Sequence, residues 1–252
     1  MGEPESKVAL LAGASGLAGG YLLDALLAAP DFARVYAITR RPLGREHARL
    51  ANRIVQFDRL EAQLKGLVCH TAFCCLGVSS SSSAAARSEQ VSRQVELDYV
   101  LAFARAARAG RAQRFVLLSC VTADSRSRSA PLRMKSEAEE ALETLGFPSL
   151  DILQPGPLIG MRREMSLADT ARGLTALAAT PLLFGPREPY RAISVRTVAA
   201  AMLGAARSGR RGVYRYTHSA IRALAASGER PRSAAIAAPS APRHGQPPPK
   251  KQ

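Results

Sequence analysis

The stretch Lys7–Gly19, KVALLAGASGLAG, decides the fold. An apolar run leads into three glycines spaced GxxGxxG, at Gly13, Gly16 and Gly19, and a helical pattern follows them directly. Gly13 allows a tight turn, Gly16 lets the backbone approach a pyrophosphate, and Gly19 permits close packing of helix on strand. Unpaired N–H groups at the helix start then face phosphate oxygens. In this context the pattern predicts a dinucleotide-binding turn, and a strand-to-helix turn without a ligand is the alternative. The predicted cofactor contacts are Gly13, Ala14, Ser15, Gly16, Leu17, Ala18 and Gly19.

Short apolar runs alternate with helical patterns along most of the chain. The predicted strands are 7–12, 34–39, 53–57, 71–76, 114–119 and 150–154, and the predicted helices are 17–29, 88–109 and 132–145. Apolar strands that are buried on both faces and alternate with helices are typical of a parallel sheet with helices on both sides. We therefore predict an α/β Rossmann fold, a doubly wound parallel sheet with a small C-terminal substrate-side region.

A chain of 252 residues is long enough for one α/β domain. We predict that residues 1–227 form a single dinucleotide-binding domain. Within it, 156–227 lose the regular alternation and form the substrate-side region, with helices near 166–179 and 194–207 and a short strand at 213–216. The tail 228–252 is rich in Pro, Ala and Arg and is predicted to be disordered.

The formal net charge is +15. Such a charge is also found in nucleic-acid binders. Here it is spread along the chain, and no basic stripe is interleaved with the aromatic residues that stack on single strands. We therefore expect no nucleic-acid partner. No apolar stretch is long enough to span a membrane, and the acidic start is unlike a signal peptide, so we expect no membrane partner either.

The four cysteines are Cys69, Cys74, Cys75 and Cys120. No pair has CxxC spacing and no histidine cluster accompanies them, so no metal site is predicted. The last three lie in or beside predicted strands. All four are expected to be reduced thiols of a cytoplasmic protein.

Two arginines follow the second predicted strand. An NAD site commonly has Asp or Glu near this position, where it accepts hydrogen bonds from the ribose 2′-hydroxyl. Arg40 and Arg41 stand here instead, and a guanidinium group pairs well with phosphate. We predict NADP(H) over NAD(H), and solvated loop charges are the alternative. Asp58, after the third strand, is predicted either to contact the adenine or to cap a helix that starts near Arg59.

Several motifs in order resemble one known group: GASGLAGG, TRR, AFCCLG, the VELDY helix, FVLLS, the Lys135 helix and QPGPLIG. From about Lys7 to about Ala226 the chain is similar to the atypical short-chain dehydrogenase/reductases, in the branch of the Tat-interacting-protein-like oxidoreductases and their bacterial relatives. The resemblance implies a cytoplasmic monomer or homodimer that binds NADP(H) and a small-molecule substrate of unknown identity. It adds further cofactor contacts at Cys75, Leu76, Gly77, Lys135, Pro155 and Gly156. An ordinary strand-to-loop break is the alternative for Pro155 and Gly156.

In the resembled group a Ser, a Tyr and a Lys form the catalytic set, with the Tyr four residues before the Lys. The resemblance assigns Ser119 to the substrate oxyanion and Lys135 to the nicotinamide ribose. Pro131 stands four residues before Lys135, and no Tyr lies between Tyr99 and Tyr190. The group that would protonate the carbonyl oxygen is missing, and loss of a general acid typically costs on the order of 10²–10⁴-fold in rate.

Two functions stay open at this point. The first is a weak or altered carbonyl reductase, in which water or Ser119 relays the proton. The second is a non-catalytic module that senses NADP(H) and docks a partner. Lys135 has a second interpretation as a surface lysine paired with Glu139 at i, i+4, and Ser119 has one as a strand-end hydroxyl that caps a backbone turn. Tyr99 is predicted to pack against its neighbours and not to replace the acid.

Overall fold

The computed structural model describes residues 7–78, 88–160 and 185–228. The strands in these ranges are β1 Lys7–Ala12, β2 Phe32–Thr39, β3 Leu50–Ile54, β4 Thr71–Cys74, β5 Arg114–Leu118, β6 Ser149–Leu153, β7 Leu158–Ile159, β8 Ile193–Ser194 and β9 Gly212–Tyr216. The helices are α1 Leu17–Ala28, α2 Leu60–Gln63, α3 Glu89–Ser92, α4 Tyr99–Ala109, α5 Ala130–Glu143, α6 Val195–Arg207 and α7 His218–Gly228. Short 3₁₀ turns cover Phe57–Arg59 and Gly185–Tyr190, and a π-helical turn, Arg93–Asp98, joins α3 to α4.

Seven strands pair in parallel in the order β3-β2-β1-β4-β5-β6-β9. The chain first moves outward from β1 to β3, then returns to β4 on the other side of β1. The strand order therefore reverses between β1 and β4, and ligands of open α/β sheets bind at the carboxyl ends of the strands beside such a reversal. The predicted doubly wound Rossmann fold is confirmed.

Two apolar cores cover the two faces of the sheet. On one face, α1, α6 and α7 pack against residues such as Leu11, Phe73 and Val116. On the other, α2, α4 and α5 pack against the alternate strand residues, among them Leu10 and Phe115. Both faces of the central strands are thus buried, which explains why these strands read as continuous apolar runs.

Several predicted boundaries were wrong. The third strand is Leu50–Ile54, not 53–57, because Val35 to Thr39 of β2 pair with these earlier residues. Helix α7 was not predicted. The predicted helix near 166–179 and the tail beyond residue 228 lie outside the described residues.

The described C-terminal residues mostly complete the sheet and one of its two helical layers. Strand β9 adds the seventh strand beside β6, and α6 packs on α1. An ion pair joins the end of α6 to the loop between α1 and β2, with Arg207 Nη2 2.6 Å from Asp31 Oδ1. Within the described part of 156–227, the segments beside the carboxyl edge of the sheet are therefore the two-strand sheet of β7 and β8 and the turn before it.

A buried polar cluster joins the three strands β5, β6 and β9. Asp151 has no exposed surface and accepts hydrogen bonds from Arg114 Nη1 at 2.5 Å, Tyr216 Oη at 2.7 Å and Ser149 Oγ at 3.0 Å. Burial, followed by the hydrogen bond to Asp151, raises the pKa of Tyr216 above its ordinary value. The cluster satisfies a buried charge that would otherwise be costly.

Asp151→Asn removes the charge at nearly constant volume and leaves the Arg114 guanidinium buried without a counter-charge. We expect the free energy of unfolding to fall by ~3–5 kcal/mol, the cost typical of breaking a buried pair. Urea denaturation measures it. The matched control is Asp24→Asn, since the Asp24 side chain is 60% exposed in its pair with Arg45 and should change stability by less than ~1 kcal/mol. Equal small effects for the two variants would contradict this reading of the cluster.

Candidate functional site

Gly13 and Gly19 hold the turn after β1 tightly against its neighbours. Gly13 has φ +85°, and a Cβ there would lie 2.4 Å from the carbonyl oxygen of Cys75. A Cβ on Gly19 would lie 2.0 Å from the carbonyl oxygen of Gly13. Both distances are far below van der Waals contact, so these two positions require glycine for backbone packing alone. The tight turn and the close helix-on-strand approach that the sequence predicts are both present.

The start of α1 suits an anion. Gly16, its N-cap, is extended and offers no side-chain cap to the first-turn amides, and the Gly16 N–H itself donates to the Gly13 carbonyl at 2.9 Å. Ser15 is exposed at the outer side of the turn. The first amides of a helix need partners from outside the helix. A pyrophosphate fits the need, because it supplies acceptor oxygens and meets the positive end of the helix dipole.

Arg40 and Arg41 are exposed at the carboxyl end of β2, directly after the buried Thr39. The next strand in the sheet is β1, which leads into the glycine turn. Arg40 is near enough to Tyr99 for its charge to act on the tyrosine hydroxyl, although burial and the hydrogen bond to Asp58 raise the pKa of Tyr99 overall. Two guanidinium groups therefore stand at the predicted edge, where they can approach a ligand held by the glycine turn.

Asp58 does not cap a helix. It lies inside the 3₁₀ turn, and the N-cap of α2 is Arg59, which makes no side-chain cap. The Asp58 carboxylate instead accepts from Tyr99 Oη at 2.8 Å and Gln94 Nε2 at 3.1 Å. The capping interpretation was wrong, because the π-helical turn and the start of α4 supply two side-chain donors to Asp58. The adenine contact stays a prediction. Tyr99 also packs on Phe57, with ring centroids 5.2 Å apart.

Cys75, Leu76 and Gly77 follow β4 at the carboxyl edge. Cys75 is half-buried with its Sγ 3.8 Å from Met202 Sδ. Burial raises the pKa of the neighbouring Cys74 thiol to about 12, so that thiol stays protonated at neutral pH. A Cβ on Gly77 would lie 3.2 Å from Lys135 Nζ and 3.3 Å from Glu96 Oε2. The segment after β4 therefore borders an ionic pair that belongs to two helices.

Lys135 and Glu96 form that pair. The Lys135 Nζ lies 2.6 Å from Glu96 Oε2, and Glu96 Oε1 accepts from the Val78 N–H at 2.6 Å. The Glu96 side chain is 1% exposed and that of Lys135 is 18% exposed. Burial alone would lower the pKa of Lys135, but the Glu96 carboxylate outweighs it, and the pKa is raised above its ordinary value. The interpretation of Lys135 as a partner of Glu139 was wrong, because the partner comes from the π-helical turn before α4.

Glu139 accepts a hydrogen bond from Ser119. The Ser119 hydroxyl donates to Glu139 Oε1, and both residues are buried. The other oxygen of Glu139 accepts from Gln154 Nε2 at 2.8 Å and lies 3.6 Å from Arg215 Nε. The interpretation of Ser119 as a cap of a backbone turn was therefore wrong. Its single hydrogen is given to a buried carboxylate.

A small cleft brings the two catalytic candidates together at the carboxyl edge. It is lined by three polar side chains and five apolar residues: Glu96, Ser119, Lys135, Leu76, Val100, Leu117, Leu118 and Ala138. Pro131 lies in the first turn of α5, one turn before Lys135. Within the described ranges, no group of three His, Cys, Asp or Glu side chains could hold a metal ion. No helix in these ranges is both long enough and apolar enough to cross a bilayer.

Pro155 and Gly156 are buried after β6. The Pro155 carbonyl accepts from the Val121 N–H at 3.0 Å, and a Cβ on Gly156 would lie 2.4 Å from the Arg191 carbonyl oxygen. The packing of this loop on the Arg191 segment accounts for the glycine without a ligand. Contact with the nicotinamide stays a prediction.

Sequence reasoning missed Glu96 and Gln154, and it named Glu139 only as a partner of Lys135. A signal for Glu96 was available: it shares a helical face with Val100 and Phe103, which are buried. A carboxylate on the apolar face of a helix needs a buried cation, because an isolated buried charge is very costly. No comparable local signal marks Glu139 or Gln154, since their partners come from β5 and α5.

Comparison with known proteins gives a family and a fold. The family model described as NAD dependent epimerase/dehydratase matches residues 9–143. Protein HTATIP2 of Rattus norvegicus is 35% identical over 164 residues, which cover 64% of this chain and 66% of the rat protein, just under two thirds of its length. A mitochondrial protein of Aspergillus fumigatus, fmp52, is 34% identical over 171 residues, which cover 66% of this chain and 72% of the fungal protein.

Solved structures share the architecture at low identity. A short chain dehydrogenase from Burkholderia cenocepacia in complex with NADP has a TM-score of 0.62 and 18% identity, and the match covers 87% of this chain and 91% of that one. MoeE5 in complex with UDP-glucose and NAD has a TM-score of 0.61 and 18% identity, covering 83% and 75%. At these identities the likeness shows the fold alone.

Gly19→Ala places a methyl group 2.0 Å from the Gly13 carbonyl oxygen, so either the helix or the turn must move. We expect the free energy of unfolding to fall by ~1–3 kcal/mol, as overpacking typically costs, and dinucleotide binding to be lost. Gly20→Ala is the matched control, because its nearest contact would be an ordinary 3.7 Å. In that helical position Ala should be neutral or stabilising by up to ~1 kcal/mol. Thermal unfolding with and without NADPH compares them, and equal behaviour would contradict the packing role of Gly19.

Proposed function

The chain belongs to the NAD dependent epimerase/dehydratase family, and we propose that it is an NADP(H)-binding protein with weak carbonyl reductase activity. Its family and fold are those of the atypical short-chain dehydrogenase/reductases, which bind a nicotinamide dinucleotide. One observation carries the proposal: a charged lysine, Lys135, lies in a cleft at the same sheet edge as an uncapped glycine turn. A dinucleotide bound between them would meet both.

The residues that would hold the dinucleotide are distributed along this edge. Residues 13–19 would bind the pyrophosphate, Arg40 and Arg41 the 2′-phosphate, and Lys135 the nicotinamide ribose. When bound in its reduced form, the nicotinamide supplies a hydride to a carbonyl carbon. Apolar residues of the cleft, such as Leu76 and Leu118, would keep water from the reacting carbonyl.

The preference for NADP(H) rests on the end of β2. One solved structure of this fold holds NAD and another holds NADP. The fold alone therefore does not determine which of the two dinucleotides is bound. After Thr39 this chain presents two exposed guanidinium groups and no carboxylate. Guanidinium groups attract the extra phosphate and give no acceptor to a free 2′-hydroxyl.

A second candidate function is a non-catalytic NADP(H)-sensing module that docks a partner. Pro131 in place of the phenol, and the engagement of Ser119 with Glu139, favour it. The cytoplasmic location and the monomeric or homodimeric state stay predictions under either function.

Arg40→Ala and Arg41→Ala test the choice of cofactor. We expect each variant to bind NADPH roughly tenfold to hundredfold more weakly, the loss of a charged hydrogen bond of ~1.5–3 kcal/mol, with NADH affinity nearly unchanged. Arg45→Ala is the control, because Arg45 is a nearby exposed arginine that pairs with Asp24. Fluorescence titration with both dinucleotides measures the ratio. The preference for NADP(H) is wrong if NADH binds the wild type more tightly than NADPH.

Pro131→Tyr tests whether the site is assembled for reduction. The new phenol would stand one helical turn before Lys135, and a restored general acid is worth on the order of 10²–10⁴-fold in rate. Pro131→Phe is the matched control, because it adds the same ring without the hydroxyl. NADPH oxidation with a panel of carbonyl compounds gives the rates. A gain in Pro131→Tyr but not in Pro131→Phe supports the reductase, and no gain in either favours the sensing module.

A further inference from the structure

We propose that Lys135 is the proton donor of this site, in place of the missing tyrosine, and that Glu96 is the positioning residue that holds its ammonium group at the cleft. The proposal rests on the reductase function proposed above and names the acid that such a reaction needs. Lys135 then takes the role of proton donor, for which the sequence had left water or Ser119 as candidates.

The available hydrogens decide between the two candidates. A serine hydroxyl has one hydrogen, and that of Ser119 is donated to Glu139 Oε1. A lysine ammonium has three, and among the residues that the structure describes the contact with Glu96 Oε2 uses one of them. Lys135 therefore retains hydrogens for a substrate oxygen, whereas Ser119 would first have to give up a bond to a buried carboxylate.

Glu96 fixes the position of the ammonium group. Its carboxylate is buried and held from the other side by the Val78 N–H at 2.6 Å. It lies in the π-helical turn before α4, and such turns occur frequently at functional sites. Gly77 packs close beside the pair, because a Cβ there would stand only 3.2 Å from the Lys135 Nζ, tighter than ordinary van der Waals contact. Lys135 instead borders the cleft, and its side chain is 18% exposed.

The proton balance of the step is simple. The substrate carbonyl carbon would receive a hydride from a bound reduced dinucleotide, which would thereby be oxidised. The π electrons of the C=O bond move onto the oxygen, the N–H bond at Lys135 Nζ breaks, and an O–H bond forms. Lys135 is left as a neutral amine and recovers a proton from water through its partly exposed side chain. The product is an alcohol.

The electrostatics of the cleft keep Lys135 charged before this step. Among the described residues, the titratable groups near enough to interact electrostatically with it are Glu96 and the thiols of Cys74, Cys75 and Cys120. Burial opposes the charge and Glu96 outweighs burial, so the pKa of Lys135 is raised. An alkoxide is a far stronger base than an amine, so the transfer is still favourable. General acids work best with a pKa near the operating pH, so we expect this acid to support only weak reduction.

The test uses the full chain and two independent readouts. Trace acetylation with acetic anhydride, followed by mass spectrometry, gives the pH midpoint at which Lys135 becomes reactive, without any cofactor. NADPH-dependent reduction of phenanthrenequinone gives the alkaline limb of the rate profile. Glu96→Gln removes the carboxylate charge and leaves burial in place, so we expect both midpoints to fall together, by about one pH unit or more. Glu137→Gln is the control, because Glu137 is an exposed carboxylate on α5, the helix that carries Lys135. Both midpoints should stay at their wild-type values.

Lys135→Arg supplies a second variant that keeps the charge beside Glu96. A guanidinium group is not deprotonated in proteins, so we expect the rate at saturating NADPH to fall on the order of 10²-fold or more. Fluorescence titration gives the NADPH concentration that saturates the variant, so that a change in ribose binding is not counted as a loss of the proton donor. A retained rate in Lys135→Arg, or a rate limb that does not follow the acetylation midpoint in Glu96→Gln, overturns the proposal alone. A wild type that binds NADPH but reduces no carbonyl overturns the reductase function, and Lys135 as donor with it.

Discussion

The close approach of the first turn to its neighbours is the constraint on which the site depends. The backbone after β1 passes so near to Cys75 and to the start of α1 that two side chains are excluded, at Gly13 and Gly19. This approach sets α1 over the carboxyl ends of β1 and β4, where the strand order reverses. Gly16 gives the start of α1 no side-chain cap, so the first amides of this helix are suited to a phosphate.

Two buried carboxylates, Glu96 and Glu139, hold the polar side chains of the site in place. Glu96 holds Lys135, and Glu139 holds Ser119 and Gln154. Buried ion pairs are weak evidence for stability, because apolar replacements are often neutral or stabilising. The consequence with chemical meaning is a fixed ammonium group beside a small apolar cleft. Glu139 accepts the one hydroxyl hydrogen of Ser119, whereas Glu96 accepts one of the three ammonium hydrogens of Lys135.

The sheet could be predicted from the sequence because the pattern that marks each strand lies within a few consecutive residues. Apolar runs such as KVALLA and RFVLL alternate with helical patterns, and the glycine turn follows the first run directly. The position of β3 was predicted less well, because its register is set by pairing with β2. Helix α7 was missed although Ile221, Leu224 and Ala225 recur at helical spacing, and these residues pack in the same core as α6 and α1.

The partners within the site could not be predicted in the same way. The i, i+4 rule proposed Glu139 for Lys135 because it considers one helix only. The true partner is 39 residues away along the chain, and it meets Lys135 because α5 packs against the π-helical turn. Which carboxylate faces which donor therefore depends on tertiary packing. The absence of a tyrosine at position 131, in contrast, is a fact of sequence, and it gives the contacts of Lys135 their importance.

An amide NMR titration of the ¹⁵N-labelled protein with NADPH tests the central claim most directly, because it locates the ligand on the chain. The account predicts saturable shifts at one equivalent for the amides of Leu17, Ala18 and Gly19, together with Arg40 and Lys135. Shifts confined to another part of the molecule, or none at saturating NADPH, would contradict it and leave the glycine turn as a device of packing alone.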